Sequence, residues 1–358
     1  MKNKLIIDAR SLVNNPAGVA RYVIELSNVL VEKEFELIFL SNKKIVLPES
    51  LKTKNISTVV FPFSKYIPGT LLIMFFTKFL FLNDKSIFWG PNHTVPLWGF
   101  KSILTIHDIV AVKFGRTMTF RNRIMNRLSL RLSLLAATSI TTVSEFTKRE
   151  LSDRFPFVRE EDISVIRNSV CKKVFYKESI TCENNKKIGQ GFILAVGTLE
   201  PRKNLISLIK CFAELKKHNL YAGKLKLTGS RGWKNKLLLK EIEDLGITNH
   251  VEFTGYIEDS ELRKYYSNCD LFVFPSLYEG FGIPPLEAVC CGARVLCTTE
   301  SEIPNLNLSG ITYYNPHTDS LFLRIKSALS KQPPKSNYNE TWYGNAEILH
   351  KKLLELVS

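Results

Sequence analysis

The chain of 358 residues is 45% hydrophobic, 23% charged and 11% aromatic, which excludes disorder and leaves room for two buried cores. Lys and Arg number 49 against 34 Asp and Glu, a net charge of +15, and residues 1–168 hold 24 of those cations against 14 acids. A field of that sign favours nucleic acid, anionic lipid or phosphorylated substrates and does not choose among them.

Met1-Lys2-Asn3-Lys4-Leu5 runs straight into the first predicted strand, 5–8, without the apolar segment of a signal peptide. A helix is predicted over 18–32, led by Gly18, with Val19, Val23, Leu26 and Leu30 on one face. Strands follow at 36–40 and 57–61. Residues 71–82 are apolar but too short to cross a bilayer, which takes roughly 20 residues. Strands at 86–89 and 102–106 come next, the second closing on His107-Asp108. Over 119–136 a helix carries Arg123, Arg127 and Arg131 four apart, hence on one face, among Phe120, Ile124, Leu128, Leu132 and Leu135. Two readings stay open: a basic segment resting on an anionic leaflet, or a core-packing helix with a solvated basic face.

Strands at 139–143 and 163–166 end the first series. The polar stretch 171–191 reads as a linker, and a new series opens with strands at 192–196, 225–228, 250–253, 271–274 and 294–297. Helices fall between them near 204–217, 234–245, 259–267 and 284–291. A closing helix presents Ile348, Leu349, Leu353, Leu354 and Val357 on its apolar side. This alternation predicts an α/β chain with two doubly wound parallel sheets. The expected domains are 1–170, joined by the helix 340–358, and 190–335.

Seven cysteines (Cys171, Cys182, Cys211, Cys269, Cys290, Cys291 and Cys297) lie in the second half. None forms a C-x-x-C pair, and Cys290–Cys291 are adjacent, so neither an ordinary disulfide nor a metal site is expected. Buried thiols in a reducing cytosol are the simplest account. No stacking-plus-basic pattern of a nucleic-acid module is present.

The most informative stretch is 275–287, Pro-Ser-Leu-Tyr-Glu-Gly-Phe-Gly-Ile-Pro-Pro-Leu-Glu. A strand ends, a glycine loop follows, and a helix opens near Pro284-Pro285, where proline suits the first turn. Ligands of open parallel sheets bind at such carboxyl ends. Gly280 and Gly282 let the backbone come close, and the helix start offers free N–H groups to a phosphate. Glu279 and Glu287 would repel a diphosphate but suit sugar hydroxyls, which donate hydrogen bonds to carboxylates. Residues 229–236 vaguely suggest a phosphate loop, but the glycine spacing is wrong and no Ser or Thr follows the lysine.

"FVFPSLYEGFGIPPLEAVCCG" resembles the signature of the retaining group-one glycosyltransferases of the GT-B fold. Residues 192–212, "FILAVGTLEPRKNLISLIKCF", 251–256, "VEFTGY", 105–109, "TIHDI", and 142–145, "TVSE", resemble further landmarks of that family in the same order. The resemblance implies two facing Rossmann-like domains, with a C-terminal helix crossing back to the first. It implies that Glu279 holds hydroxyls of the transferred sugar and Glu287 those of the ribose, with the backbone at Gly280, Phe281 and Gly282 close to the donor. Arg202 and Lys203 would neutralise the leaving diphosphate, as two cations beside growing negative charge should. Gly18 would line a loop near the donor, Tyr256 would mark the base-side loop, Arg231 would assist the phosphates, and His107 would contact the donor sugar or orient the acceptor.

No metal and no cofactor are expected beyond a nucleotide sugar as co-substrate, and front-face attack is the favoured route. The implied partners are that donor and a lipid-linked glycan acceptor, with peripheral contact to the inner membrane face and no nucleic acid. The expected location is cytoplasmic. Within the family the chain resembles O-antigen mannosyl- or rhamnosyltransferases of bacterial surface polysaccharide synthesis, with GDP-mannose as preferred donor. A nucleotide-sugar epimerase on the same fold and an inactive scaffold subunit are the alternatives.

Overall fold

The computed structural model describes residues 3–13, 18–52, 56–62, 66–81, 86–114, 120–177, 189, 191–230, 235–333 and 338–357. The chain divides into two compact units, Met1–Ser169 with Glu340–Ser358, and Val170–Asn339.

The first unit is built on a parallel sheet of β1 (Asn3–Asp8), β2 (Phe35–Ser41), β3 (Ile56–Val60), β4 (Ile87–Gly90), β5 (Ser102–Ile106), β6 (Ser139–Thr142) and β7 (Ile163–Val165). Their order is β3-β2-β1-β4-β5-β6-β7, so the winding reverses between β1 and β4. Leu5, Ile6 and Ile7 are all fully buried, which explains why β1 reads as an unbroken apolar run: helices cover both faces of a parallel sheet. Helix α1 (Val19–Leu30) buries Ala20, Tyr22, Val23, Leu26 and Leu30 along one stripe.

Helix α2 (Phe120–Ala136) exists where the basic periodicity predicts it, but its packing face differs. Ser129, Leu130, Ser133 and Leu134 are buried, whereas Ile124, Leu128 and Leu135 are about half exposed. The two serines permit close approach, and Ser133 Oγ accepts a bond from Val95 N at 3.3 Å. The helix thus packs into the core, but through Leu130 and Leu134 rather than through Ile124, Leu128 and Leu135. Helix α3 (Glu145–Arg154), not anticipated from its polar sequence, starts at Ser144, whose hydroxyl accepts from Thr147 N at 2.8 Å.

The second unit holds a parallel sheet of β8 (Phe192–Val196), β9 (Lys224–Thr228), β10 (Val251–Gly255), β11 (Leu271–Phe274), β12 (Val295–Thr298) and β13 (Thr312–Tyr314), ordered β10-β9-β8-β11-β12-β13. Helices α4 (Leu205–Lys217), α5 (Asn235–Asp244), α6 (Asp259–Asn268), α7 (Ile283–Cys290) and α8 (Leu321–Ser330) flank it. Leu208, Ile209 and Phe212 of α4 pack into a core with Leu225, Leu271, Val273 and Leu296. Strand β13 and helix α8 were not foreseen, the strand being only three residues long. Cys269, Cys291 and Cys297 are buried free thiols, and burial pushes Cys211 up to about 11. Cys182 lies outside the described residues.

Residues 171–177, placed by composition in a linker, belong to the second unit, as does Val170, expected in the first: Phe175 is buried against Tyr266, ring centroids 6.1 Å apart. Beyond the stretch 178–188, Gly189 N and Gly191 N both donate to Asp270 Oδ2. The closing helix α9 (Trp342–Val357) returns to the first unit. It meets α1 and the start of β2 through Trp342 against Tyr22, His350 against Phe35, and an ion pair of Lys33 with Glu347 at 2.6 Å.

Candidate functional site

In the second unit the strand order reverses between β8 and β11, and the loops leaving these strands diverge there, as ligand sites on open α/β sheets require. After β8, Gly197 turns at φ 145° and a short 3-10 turn, Pro201–Lys203, follows. Asn204 ends it in the left-handed region, φ 55°, and its Nδ2 donates to Tyr314 Oη at 3.0 Å. After β11 the loop 275–282 leads into α7. The two loops are stitched together: Leu277 N donates to Arg202 O at 2.9 Å, and Arg202 Nη1 to Tyr278 O at 2.7 Å.

Glu279 sits at the centre of this seam. Lys203 Nζ stands 2.6 Å from its Oε1 and Arg202 Nη1 2.8 Å from its Oε2. Arg202 also pairs with Glu200 at 2.6 Å, and Lys203 Nζ lies 5.1 Å from the centre of the Phe274 ring. Burial alone would raise the Glu279 carboxyl, but the charges and hydrogen bonds of Lys203 and Arg202 outweigh it and hold the group at about 2. The adjacent strand ends brace the loop, Glu279 N donating to Glu300 O at 2.8 Å and Glu302 N to Phe281 O at 3.2 Å. The Arg-Lys dipeptide thus stands among two carboxylates rather than as a bare cationic pair.

Phe281 is buried. Gly282 precedes α7 at φ 104°, and a Cβ there would press on Ile303 at 3.1 Å, so both conformation and space ask for glycine. Glu287, in the second turn of α7, is 4% exposed and accepts a hydrogen bond from Tyr266 Oη at 3.0 Å. Tyr266 is itself fully buried against Phe272.

The neighbouring strand ends form a glycine edge. Gly197 N donates to Thr228 O and Gly229 N to Gly255 O, and a Cβ on Gly229 would fall 2.2 Å from Gly197 O. Beside this edge a cavity of about 520 Å3 is lined by Leu199, Gly229, Lys236, Leu239, Phe253 and Gly255. Tyr256, next in the chain, is half exposed. Arg231 lies outside the described residues.

In the first unit the strand ends carry a different set. Arg10 makes a two-point contact with Asp8, which is fully buried at the end of β1, and Nη1 donates to Thr70 Oγ1. His107 follows β5 and is 9% exposed. Its backbone N donates to His93 Nε2 at 3.0 Å, its ring stacks on His93 at 5.8 Å, and the Tyr22 ring meets it edge-on at 5.0 Å. Burial, reinforced by His93, lowers His107 to about 3, leaving a neutral imidazole whose Nε2 has no hydrogen-bond partner. Asp108 is taken up locally, accepting from Val110 N at 2.9 Å. Gly18 adopts φ 54° ahead of α1, and a Cβ there would meet nothing within 4 Å, so backbone conformation rather than crowding calls for glycine.

The structure brings Arg202, Lys203, Glu279, Gly280, Phe281, Gly282 and Glu287 to one edge of the second unit, with Tyr256 across β8 and β9, and places His107 and Gly18 in the first unit. Sequence reasoning missed Glu200, Tyr266, Asp8, Arg10 and His93. The double glycine match 197–229 also carries no signal beyond two separate glycines.

Residues 177–346 match the family Glycosyl transferases group 1, and residues 16–172 match Glycosyltransferase Family 4. An Escherichia coli O-antigen chain mannosyltransferase B is 32% identical over 62% of this chain and 58% of its own. The chain therefore spans less than two thirds of that relative. The O-antigen chain mannosyltransferase RfbU of Salmonella typhimurium is 29% identical over 76% of this chain and 70% of its own. Among solved structures, the Anabaena protein HepE in complex with UDP superimposes with a TM-score of 0.66 at 17% identity, covering 100% of this chain and 96% of that one. That likeness carries the fold, two Rossmann-like units of the GT-B type.

Proposed function

We propose, because residues 177–346 and 16–172 match the two glycosyltransferase family models, that the chain moves a hexosyl group from a nucleotide-diphosphate sugar to a lipid-linked or growing surface-polysaccharide acceptor, with retention at the anomeric carbon. The mannosyltransferase relatives favour mannose, and GDP-mannose is the donor we assign. The observation that carries the reading is the Arg202–Lys203–Glu279 cluster at the β8–β11 reversal.

In this reading the donor diphosphate draws on Arg202 and Lys203, while Glu279 accepts hydrogen bonds from sugar hydroxyls and Glu287, steadied by Tyr266, accepts those of the ribose. The base takes the cavity beside Gly229 and Gly255. The bond from the anomeric carbon to the phosphate oxygen breaks as the acceptor oxygen bonds on the same face, and the acceptor proton passes to a phosphate oxygen of the departing nucleoside diphosphate. Negative charge grows on that diphosphate, and the two cations stabilise it most in the transition state. His107, neutral at physiological pH, offers Nε2 as an acceptor to a hydroxyl.

The test is a panel of nucleotide sugars scored by thermal shift, followed by transfer assays with and without a lipid-linked acceptor. GDP-mannose is expected to raise the melting temperature, as a ligand of the folded state must. Stabilisation by no nucleotide sugar, or sugar inversion without acceptor, would overturn the reading.

A further inference from the structure

Among the described residues, four that are not glycine take a positive φ. Three are asparagines, Asn204, Asn219 and Asn307, a residue type that visits the left-handed region readily. The fourth is His93, at φ 60°. An imidazole-bearing residue held in that conformation is strained, and it persists only where its surroundings dictate it.

The loop around His93 is braced at both ends. Strand β4 ends at Gly90, where a Cβ would fall 2.1 Å from Thr94 O, so the chain doubles back at once. Asn92 Nδ2 donates to Asp8 O at 2.8 Å, which ties the loop to the end of β1. Thr94 Oγ1 donates to Asn92 O at 3.2 Å, and Val95 N to Ser133 Oγ of α2 at 3.3 Å. His93 is fixed between these anchors.

So held, it answers a backbone group of His107. Strand β5 outruns β4: Gly90, the last residue of β4, lies opposite Leu104, so the His107 N–H falls beyond that ladder. His93 Nε2 supplies the acceptor at 3.0 Å. On the other side, Thr147 Oγ1 donates to His107 O at 3.2 Å. The His107 ring also donates to the Pro91 carbonyl. Its Nε2 is the nitrogen without a partner, so the donor is Nδ1 and the network assigns the tautomer. The two imidazoles lie 16° from parallel, with centroids 5.8 Å apart. Burial lowers His93, which keeps its own Nε2 lone pair available at neutral pH. Both backbone groups and one ring nitrogen of His107 are engaged, and Nε2 is left for a ligand.

We propose that His93 is a positioning residue for the glycosyl transfer put forward above, on which this inference rests: it clamps the His107 backbone so that the His107 Nε2 lone pair is aimed before a hydroxyl arrives. A hydroxyl then meets an imidazole already locked in one tautomer and one direction, and little freedom is left to lose on binding. Glycine at position 93 would relieve the backbone but leave the His107 N–H without its acceptor. The chain keeps the strained residue where the reaction gains from it.

The experiment is steady-state transfer from GDP-mannose to a lipid-linked acceptor by the full chain, with melting curves and 15N spectra of the histidine rings. His93→Gly should melt close to wild type, since glycine takes φ 60° without strain. Its kcat should fall about 30-fold, the scale of a misaimed group, while KM for GDP-mannose stays within about twofold. The 15N signals of the His107 ring should shift in the same variant. In a His107→Ala background, His93→Gly should cost no further kcat, because residues acting as one unit are not additive. His93→Gln and His93→Leu strain the backbone alike, so they isolate the acceptor even if His93→Gly folds poorly: the glutamine should recover most of kcat and the leucine none. Equal rates for these two overturn the proposal. So do unmoved His107 signals, or a loss in kcat that is just as large without the His107 ring. A lower melting temperature with kcat intact would make His93 a support of the fold alone. A wild type that transfers nothing overturns the reaction itself, whereas an active wild type with an equally active His93→Gly overturns this inference only.

Discussion

Lys203 and Glu279, 76 residues apart in the chain, are joined by a 2.6 Å bond between Nζ and Oε1. The cation assigned to the leaving diphosphate and the carboxylate assigned to the sugar are therefore one unit. A donor must divide them, the diphosphate taking the lysine as sugar hydroxyls replace it on the carboxylate. Replacing Glu279 by Gln should accordingly lower the transfer rate by about 100-fold or more. It should leave the affinity for free GDP equal or higher, because Arg202 and Lys203 lose a competitor. Steady-state rates with calorimetric titration of GDP check both halves.

The same carboxylate predicts an acid-labile unit. Its folded value, about 2, lies below the ordinary 4.5, so the unfolded chain takes up the proton first as pH falls. The stabilisation is complete above about pH 4.5 and is lost towards pH 2, on the order of 3 kcal/mol in all. Denaturant unfolding of wild type and Glu279→Gln over that range should show the slope in the first and a flatter line in the second.

His107 gives a second, separate window in the first unit. Burial holds it near 3 against an ordinary 6.5, and burial lowers His93 as well. Both bind protons more readily unfolded, so the first unit should lose stability as pH drops below 6.5. Transfer should show no inflection near 6.5 assignable to His107. A pH–rate profile compared with that of His107→Gln checks this, and an inflection that vanishes in the variant would contradict the neutral assignment.

Tyr266→Phe keeps the ring against Phe272 but removes the bond to Glu287. The expected result is a donor dissociation constant raised about tenfold, the worth of a hydrogen bond to a charged group, with a smaller change in turnover and near-native stability. A binding isotherm and a melting curve suffice.

Gly229→Ala should destabilise the second unit by about 2 kcal/mol or more, since the new Cβ would collide with Gly197 O at 2.2 Å and φ is 143°. Unfolding monitored for that unit, with Gly255→Ala as comparison, reads the difference: Gly255 has φ 73° but no atom within 4 Å of its Cβ position.

The strand–helix alternation was legible because parallel strands buried on both faces leave unbroken apolar runs, as at Leu5-Ile6-Ile7. The loop 275–282 was legible because glycine, proline and acid crowd into one stretch. Most of what stayed hidden depends on distant pairs. Nothing local marks Tyr266 as the partner of Glu287. Gly197 and Gly229 meet only when β8 lies beside β9. Helix α2 differs for another reason: Ile124, Leu128 and Leu135 stay exposed, and Leu130 and Leu134 pack in their place together with Ser129 and Ser133.

The return of α9 to the first unit also orders events on the ribosome. Tyr22, Lys33 and Phe35 are made early, but their partners Trp342, Glu347 and His350 come only after the whole second unit has been translated. The nascent first unit must wait through some 170 residues with that flank bare, a period in which chaperones would find it. Cutting the gene before residue 340 should therefore harm the half of the protein that was synthesised first.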